Sequence, residues 1–273
     1  MPGKKLIVFT DLDGTLLDAR TYSFAPAAGA LKRLEKLGVP VVICTSKTRA
    51  EVMQWRERIG NVHPFIIENG GGVYIPAGYF GHAVHPGKVS GDYEVVEFGT
   101  PYAKLREAVA ALRAEGYDIT GFGDMTDEEV AALTGLPFEE AAMARAREFD
   151  EPFVLGGSGD ALPSLLEAIK RMGLNYTEGR LMHILGDNDK GRAMRYLADL
   201  YKKRHGKIVM AALGDSLNDA PMLMSVDHPF LVKKPEGFHT PSITNERVTK
   251  VEGAGPEGWA QAVKLLLGKL RLV

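Results

Sequence analysis

Leu6-Ile7-Val8-Phe9-Thr10-Asp11-Leu12-Asp13-Gly14-Thr15 is the stretch from which the rest of the chain can be read. Four consecutive apolar side chains suit a strand buried on both faces, as in a parallel sheet, whereas a half-exposed strand would alternate. Two carboxylates and a glycine follow directly, at the carboxyl end of that strand, where open α/β sheets place their ligands. Asp-Gly also serves in plain surface turns. The full string is more specific than a turn requires, so Asp11 and Asp13 become the leading candidates for chemistry.

Working outward, Ala27, Ala30, Leu31, Leu34 and Leu37 recur at helical spacing and Gly38 ends them, giving a helix over about 26–37. Val39–Cys44 reads as a second buried strand, 48–59 as a helix and Phe65–Ile67 as a third strand. This alternation predicts βαβ units and a doubly wound parallel sheet, a Rossmann-like α/β core. Glycines and prolines cluster over 76–87 and the alternation stops. Beyond them come a half-exposed strand at 93–98, a helix over 101–115, a capping box at Thr126–Glu129, a helix begun by Pro137, a short strand at 153–155 and a strand over 180–185. From Lys190 the first pattern resumes. The expected organisation is a core over 1–82, an inserted α+β domain over 83–187 and the rest of the core over 188–273.

With 273 residues, 45% of them hydrophobic, the chain can bury a large core. A net charge of -2 gives no basic field for nucleic acid or an anionic membrane, so any anion must be bound locally. The single cysteine, Cys44, excludes an internal disulfide and a cysteine-based zinc site. No apolar run approaches membrane-spanning length and no secretory leader is evident, so a cytoplasmic protein is expected. No feature sets an oligomeric state.

Asp11-Leu12-Asp13-Gly14-Thr15, Thr45 after the second strand, Lys190 at a helix start and Gly214-Asp215-Ser216-Leu217-Asn218-Asp219 after a late strand together resemble the motifs of the haloacid dehalogenase superfamily, in its order. That resemblance implies a phosphotransferase in which Asp11 attacks phosphorus and forms an aspartyl phosphate, while Asp13 acts as general acid and base. It implies Mg2+ held by the Asp11 carboxylate, the Asp13 carbonyl and Asp215, with Asn218 or Asp219 orienting its waters. Thr45 and Lys190 then neutralise the transferring phosphoryl oxygens. The carboxylate at position 13 and the lack of membrane segments favour a phosphatase over a pump. A mutase of the phosphomannomutase kind, which keeps both aspartates, stays open. So does a phosphoacceptor signalling module, which the carboxylate at 13 and the large insert disfavour.

The insert between Thr45 and Lys190 resembles the superfamily's type IIB cap. Thr45-Ser46-Lys47-Thr48-Arg49-Ala50-Glu51, Glu68-Asn69-Gly70-Gly71, Gly179-Arg180-Leu181-Met182-His183 and Asp187-Asn188-Asp189-Lys190-Gly191 resemble the mannosyl-3-phosphoglycerate phosphatases. This implies a glycosylated phosphoglycerate as substrate and a compatible-solute step yielding mannosylglycerate, with glucosyl-3-phosphoglycerate and sucrose phosphate as alternatives. Candidate substrate contacts are Ser46, Lys47, Arg49, Asn69, Ser158, Arg180 and His183. Lys47 and Arg49 equally suit a solvated helix start, and Ser158 a helix-capping loop. Strand alternation puts Arg180 and His183 on opposite faces, so at most one should face the pocket. His82 and His85 read as surface histidines, Cys44 as a core residue, and Trp55 and Trp259 as helix packing.

Overall fold

The structure is a computed structural model describing residues 4–272 other than 83, 85 and 158. The chain lays down β1 (Lys4–Thr10), α1 (Ala28–Lys36), β2 (Val41–Cys44), α2 (Arg49–Ile59) and β3 (Phe65–Ile67). Then it doubles back through β4 (Gly72–Pro76), β5 (Lys88–Ser90) and β6 (Tyr93–Glu97). The middle region comprises α3 (Tyr102–Ala114), β7 (Ile119–Gly121), α4 (Asp127–Thr134), α5 (Phe138–Arg145), β8 (Asp150–Leu155), α6 (Leu162–Arg171), β9 (Asn175–Glu178) and β10 (Met182–Leu185). Last come α7 (Lys190–His205), β11 (Lys207–Gly214), α8 (Ala220–Leu223), β12 (His228–Lys233), β13 (Thr249–Ala254) and α9 (Gly255–Lys269).

The large sheet has the order β13-β12-β11-β1-β2-β3-β4-β6-β5. β1 lies inside it, parallel to both β11 and β2. Alternate side chains of β1 feed opposite layers: Leu6 and Val8 pack with Leu34, Trp55 and Trp259, while Ile7 and Phe9 pack with Met194, Leu197 and Tyr201 of α7. That division is why the apolar run is continuous, since each buried side chain of this size contributes about 1.5–3 kcal/mol. The local signals act as expected at α2, where Thr48 and Glu51 form a capping box and Gly60 closes the helix in the left-handed region.

One part of the expected insert lies elsewhere. β6 pairs antiparallel with β4, Val95 opposite Tyr74, and β5 pairs with β6, so both strands extend the core sheet. The cause is packing: Val95 is buried with Phe65 and Tyr74 in one layer, and Val96 with Val73 and Ile75 in the other. The second sheet, order β7-β8-β10-β9, begins only at Ile119 and is antiparallel throughout. Leu105 and Val109 of α3 and Leu165 and Ile169 of α6 cover one of its faces, over Phe153 and Ile184. Asp150 and His183 belong to the opposite face by strand alternation. α4 and α5 form a small cluster of their own around Phe122 and Val130. α5 meets the core at α2, where the Thr48 hydroxyl donates to the Met143 carbonyl at 2.8 Å.

Candidate active site

Three strand ends and one helix start converge at the carboxyl edge of the large sheet. Asp11 follows β1 and continues its pairing, its N–H donating to the Leu213 carbonyl at 3.0 Å. Beneath it, the Trp259 indole N–H holds the Thr10 hydroxyl at 2.9 Å, so this buried tryptophan both packs and fixes the strand end. Gly14 has φ +72°, and a Cβ there would come within 3.1 Å of Asp215 Oδ2, so glycine serves both the turn and the close approach. Thr15 donates to Asp215 Oδ1 at 3.1 Å, tying the first loop to the loop after β11. In that loop Asp219 Oδ2 accepts the backbone N–H groups of Asp215 and Ser216, both at 3.0 Å. Lys190 opens α7 and is fully buried, with Nζ 2.8 Å from Asp11 Oδ1 and 2.7 Å from Asp219 Oδ1.

The charge count at this point decides what the site can hold. Asp11, Asp215 and Asp219 are buried and place one carboxylate oxygen each within 4.8 Å of one another. Lys190 is the ammonium bonded into them. Burial pushes the Asp11 carboxyl well above its usual range, with the Asp219 and Asp215 charges adding to it against Lys190. Asp215 is pushed up to about 6 by burial and by Asp219. Burial disfavours the Lys190 charge, but Asp11 and Asp219 more than offset it and hold the lysine firmly protonated. Three oxygen ligands short of positive charge fit a hard divalent cation, which would favour the ionised form of Asp11 and Asp215.

Asp13 sits in a second charged group. Its Oδ2 lies 3.1 Å from Lys47 Nζ, which also bonds Glu51 Oε1 at 3.0 Å. The Asp13 side chain is 37% exposed, but its Oδ1 is buried and has no hydrogen-bond partner among the described residues. Burial opposes the Lys47 charge, and Asp13 and Glu51 overcome it. The Tyr22 ring lies beneath, 5.2 Å from Lys47 Nζ, with Tyr22 itself in the left-handed region at φ +56°.

Asp11, Asp13 and Asp215 open onto one cavity of about 320 Å3 that Ser46, Arg180 and Asn218 also line. Thr45 is fully buried at the end of β2, its hydroxyl oxygen accepting the Lys47 N–H at 3.2 Å. Arg49 is not brought there: it pairs with Glu148 at 3.0 Å on the outside and lies over the Tyr74 ring. Nor is His183, which is buried on β10 with Nδ1 3.1 Å from Asp150 Oδ2. Asn69 is 2% exposed and wedged between Asp150 and Asn218. Ser158 and His85 lie outside the described residues, and His82 is exposed.

Several residues of the site carry no sequence signal. Arg20, Tyr22 and Lys234 line the cavity from loops without a motif. Glu68, fully buried at φ +45°, accepts the backbone N–H groups of Glu148, Phe149 and Asp150 at 2.7–3.1 Å, joining the loop after β3 to the start of β8. A run of glutamate, asparagine and glycine after a strand signals a turn, but not this cradle.

A family described as haloacid dehalogenase-like hydrolase matches residues 8–80, the segment from β1 into the turn after β4. The chain belongs to that family. It is 46% identical to a glucosyl-3-phosphoglycerate/mannosyl-3-phosphoglycerate phosphatase of Methanococcoides burtonii, over 97% of this chain and 98% of the relative. A mannosyl-3-phosphoglycerate phosphatase of Pyrococcus furiosus is 39% identical over 83% of this chain and 90% of its own length. Among solved structures, a subclass IIB sugar phosphatase of the same superfamily superposes with a TM-score of 0.66 at 13% identity, covering 98% of this chain and 100% of the other. The fold and the family are therefore those that Asp11 and its neighbours suggested, and the protein is a phosphatase.

Proposed function

We propose that the protein hydrolyses mannosyl-3-phosphoglycerate and glucosyl-3-phosphoglycerate with Mg2+ as cofactor, through an aspartyl phosphate on Asp11. The observation that carries the chemistry is that Asp11 and Asp13 open onto one cavity while Lys190 is bonded to Asp11 from behind. The Asp11 carboxylate, the Asp13 backbone carbonyl and the Asp215 carboxylate would hold the ion, with Asp219 and Asn218 around it. When bound, Mg2+ supplies the charge that lets a carboxylate approach a phosphate dianion and orients the phosphoryl group in line.

The chain's own residues do the rest. Asp11 attacks phosphorus as the bond to the glycerate oxygen breaks, which splits hydrolysis into two displacements. Lys190, held by Asp11 and Asp219, presents a fixed positive charge to the phosphoryl oxygens and needs no reorganisation during the reaction. Thr45, buried behind Ser46, holds the loop in which Ser46 reaches the cavity. Asp13 protonates the departing oxygen, an alkoxide otherwise too basic to leave, and then removes a proton from the water that cleaves the phosphoenzyme. Lys47 bonds Asp13 Oδ2 and holds the carboxyl group at the rim of the cavity, while Oδ1 is buried without a partner among the described residues.

The elements from α3 to β10 act as a lid over this cavity, with Gly179 and Arg180 as its contribution. Arg180 and Lys234 both line the cavity and suit a second anionic group, such as the carboxylate of a phosphoglycerate. Support for the particular substrate comes from the 46% identity with a relative of that name. Phosphate release from a panel of sugar phosphates tests it. The glycosyl-phosphoglycerates should be preferred by about 10²-fold or more in kcat/KM, because cations left unpaired by a neutral sugar penalise the competitor. Equal rates on sucrose 6-phosphate and hexose phosphates would overturn the assignment.

A further inference from the structure

A chain of side-chain hydrogen bonds runs from the second sheet into the loop that carries Asp215. Asp150, at the start of β8, has no exposure and pairs through Oδ1 with Arg147 Nη1 at 2.8 Å. Its Oδ2 accepts from Asn69 Nδ2 at 2.8 Å and faces His183 Nδ1 at 3.1 Å. Asn69 Oδ1 in turn lies 3.0 Å from Asn218 Nδ2. Asn218 is 7% exposed, and its Oδ1 is buried without a hydrogen-bond partner among the described residues.

The polarity of this chain is forced. A carboxylate paired with a guanidinium can only accept, so Asn69 must turn its NH2 toward Asp150. That leaves the Asn69 carbonyl oxygen facing Asn218, which must then spend its own NH2 on it. The oxygen of Asn218 is consequently the end left over, on a residue that lines the same cavity as Asp11, Asp13 and Asp215. Had the amide been reversed, an NH2 donor would occupy that place and repel a cation or its waters.

We propose that Asp150 is a positioning residue for Asn218: acting through Asn69, it fixes the Asn218 amide so that its oxygen serves the cation site of Asp11 and Asp215. The role belongs to a residue 65 positions before Asp215 in the sequence, on the far side of the junction between the two sheets. The left-handed backbone at Asn69, φ +54°, is the local distortion that lets its side chain reach both partners. The inference rests on the proposed Mg2+ site.

Calorimetric titration of metal-stripped full-length protein with MgCl2 tests it without reference to turnover. Asp150→Asn can donate as well as accept, which frees Asn69 and hence Asn218 to flip. It should weaken Mg2+ binding about 10-fold, the lower end of what residues orienting metal ligands contribute. Asn218→Ala should weaken it similarly, and the double variant should be no weaker than either single variant, since both break one chain. Asn69→Gly provides the control for folding: glycine accepts the left-handed backbone, the Asp150 pairs with Arg147 and His183 remain, and the same loss is expected. Two-fold or smaller effects of Asp150→Asn and Asn69→Gly, or losses that multiply in the double variant, would overturn the relay while leaving the Mg2+ site standing. A parent protein that binds no Mg2+ would overturn both.

Discussion

Lys190→Ala removes the ammonium that lies 2.8 Å from Asp11 and 2.7 Å from Asp219 and leaves three buried carboxylates facing one another. Removing one partner of a buried ion pair costs about 3–5 kcal/mol, because the remaining charge is stranded out of water. At about 2–4 °C per kcal/mol for a chain of this size, the metal-free variant should melt some 6–20 °C below the parent. Added MgCl2 should raise the melting temperature of the variant more than that of the parent, since the cluster now carries an additional uncompensated charge. Turnover should fall by about 10²–10³ even in saturating Mg2+, because the proposed mechanism gives Lys190 its own hydrogen bonds to the phosphoryl oxygens, which the ion would not replace. Differential scanning calorimetry with and without MgCl2, paired with phosphate-release assays, gives both quantities. A variant that melts with the parent when metal-free and turns over at the parental rate in saturating Mg2+ would refute the charge balance proposed for the site.

Asp13→Asn should lower kcat on a glycerate ester by about 10²–10⁴, but spare the first displacement from p-nitrophenyl phosphate, whose leaving group needs no proton; stopped-flow bursts of nitrophenolate check this. Glu68→Ala strands three backbone N–H groups that the carboxylate now accepts and should cost about 3–6 kcal/mol in urea denaturation, while Glu68→Asp, one methylene shorter, should lose less. His63, held neutral by burial and the nearby Arg56 and bonded to the Tyr79 hydroxyl at 2.7 Å, has its pKa lowered to about 4. The unfolded chain, with an ordinary histidine, therefore binds a proton that the folded chain does not, and stability should be lost as the pH falls from about 6.5 toward 4. Allowing for partial exposure, the loss is about 1–2 kcal/mol; urea midpoints of the parent and His63→Gln across that range should diverge, and parallel curves would count against it.

Much of this architecture was legible because β1, β2 and β3 are buried on both faces and so write uninterrupted apolar runs, with the chemistry placed directly after them. Thr48, Glu51 and Gly60 announce α2 by cap chemistry alone. What stayed hidden depends on pairing across long separations. Tyr93–Glu97 is a strand in the sequence, but only the contacts of Val95 and Val96 with opposite layers assign it to the large sheet. Its neighbour β4 is obscured by glycines at 70–72 and by Pro76. The same holds in the site. His183 has the residue type of a ligand contact, but Asp150 engages it, and Glu148 draws Arg49 outward. Conversely, Lys234 and Tyr22 enter the cavity from loops whose course no local pattern sets.

The proposed chemistry turns on the covalent phosphorylation of Asp11. Asp13→Asn should form that intermediate from 32P-labelled p-nitrophenyl phosphate and fail to clear it, so acid quenching and proteolysis should recover hydroxylamine-labile label on the peptide that contains Asp11. A nitrophenolate burst with no label on the protein, or label recovered on a peptide lacking Asp11, would contradict the account.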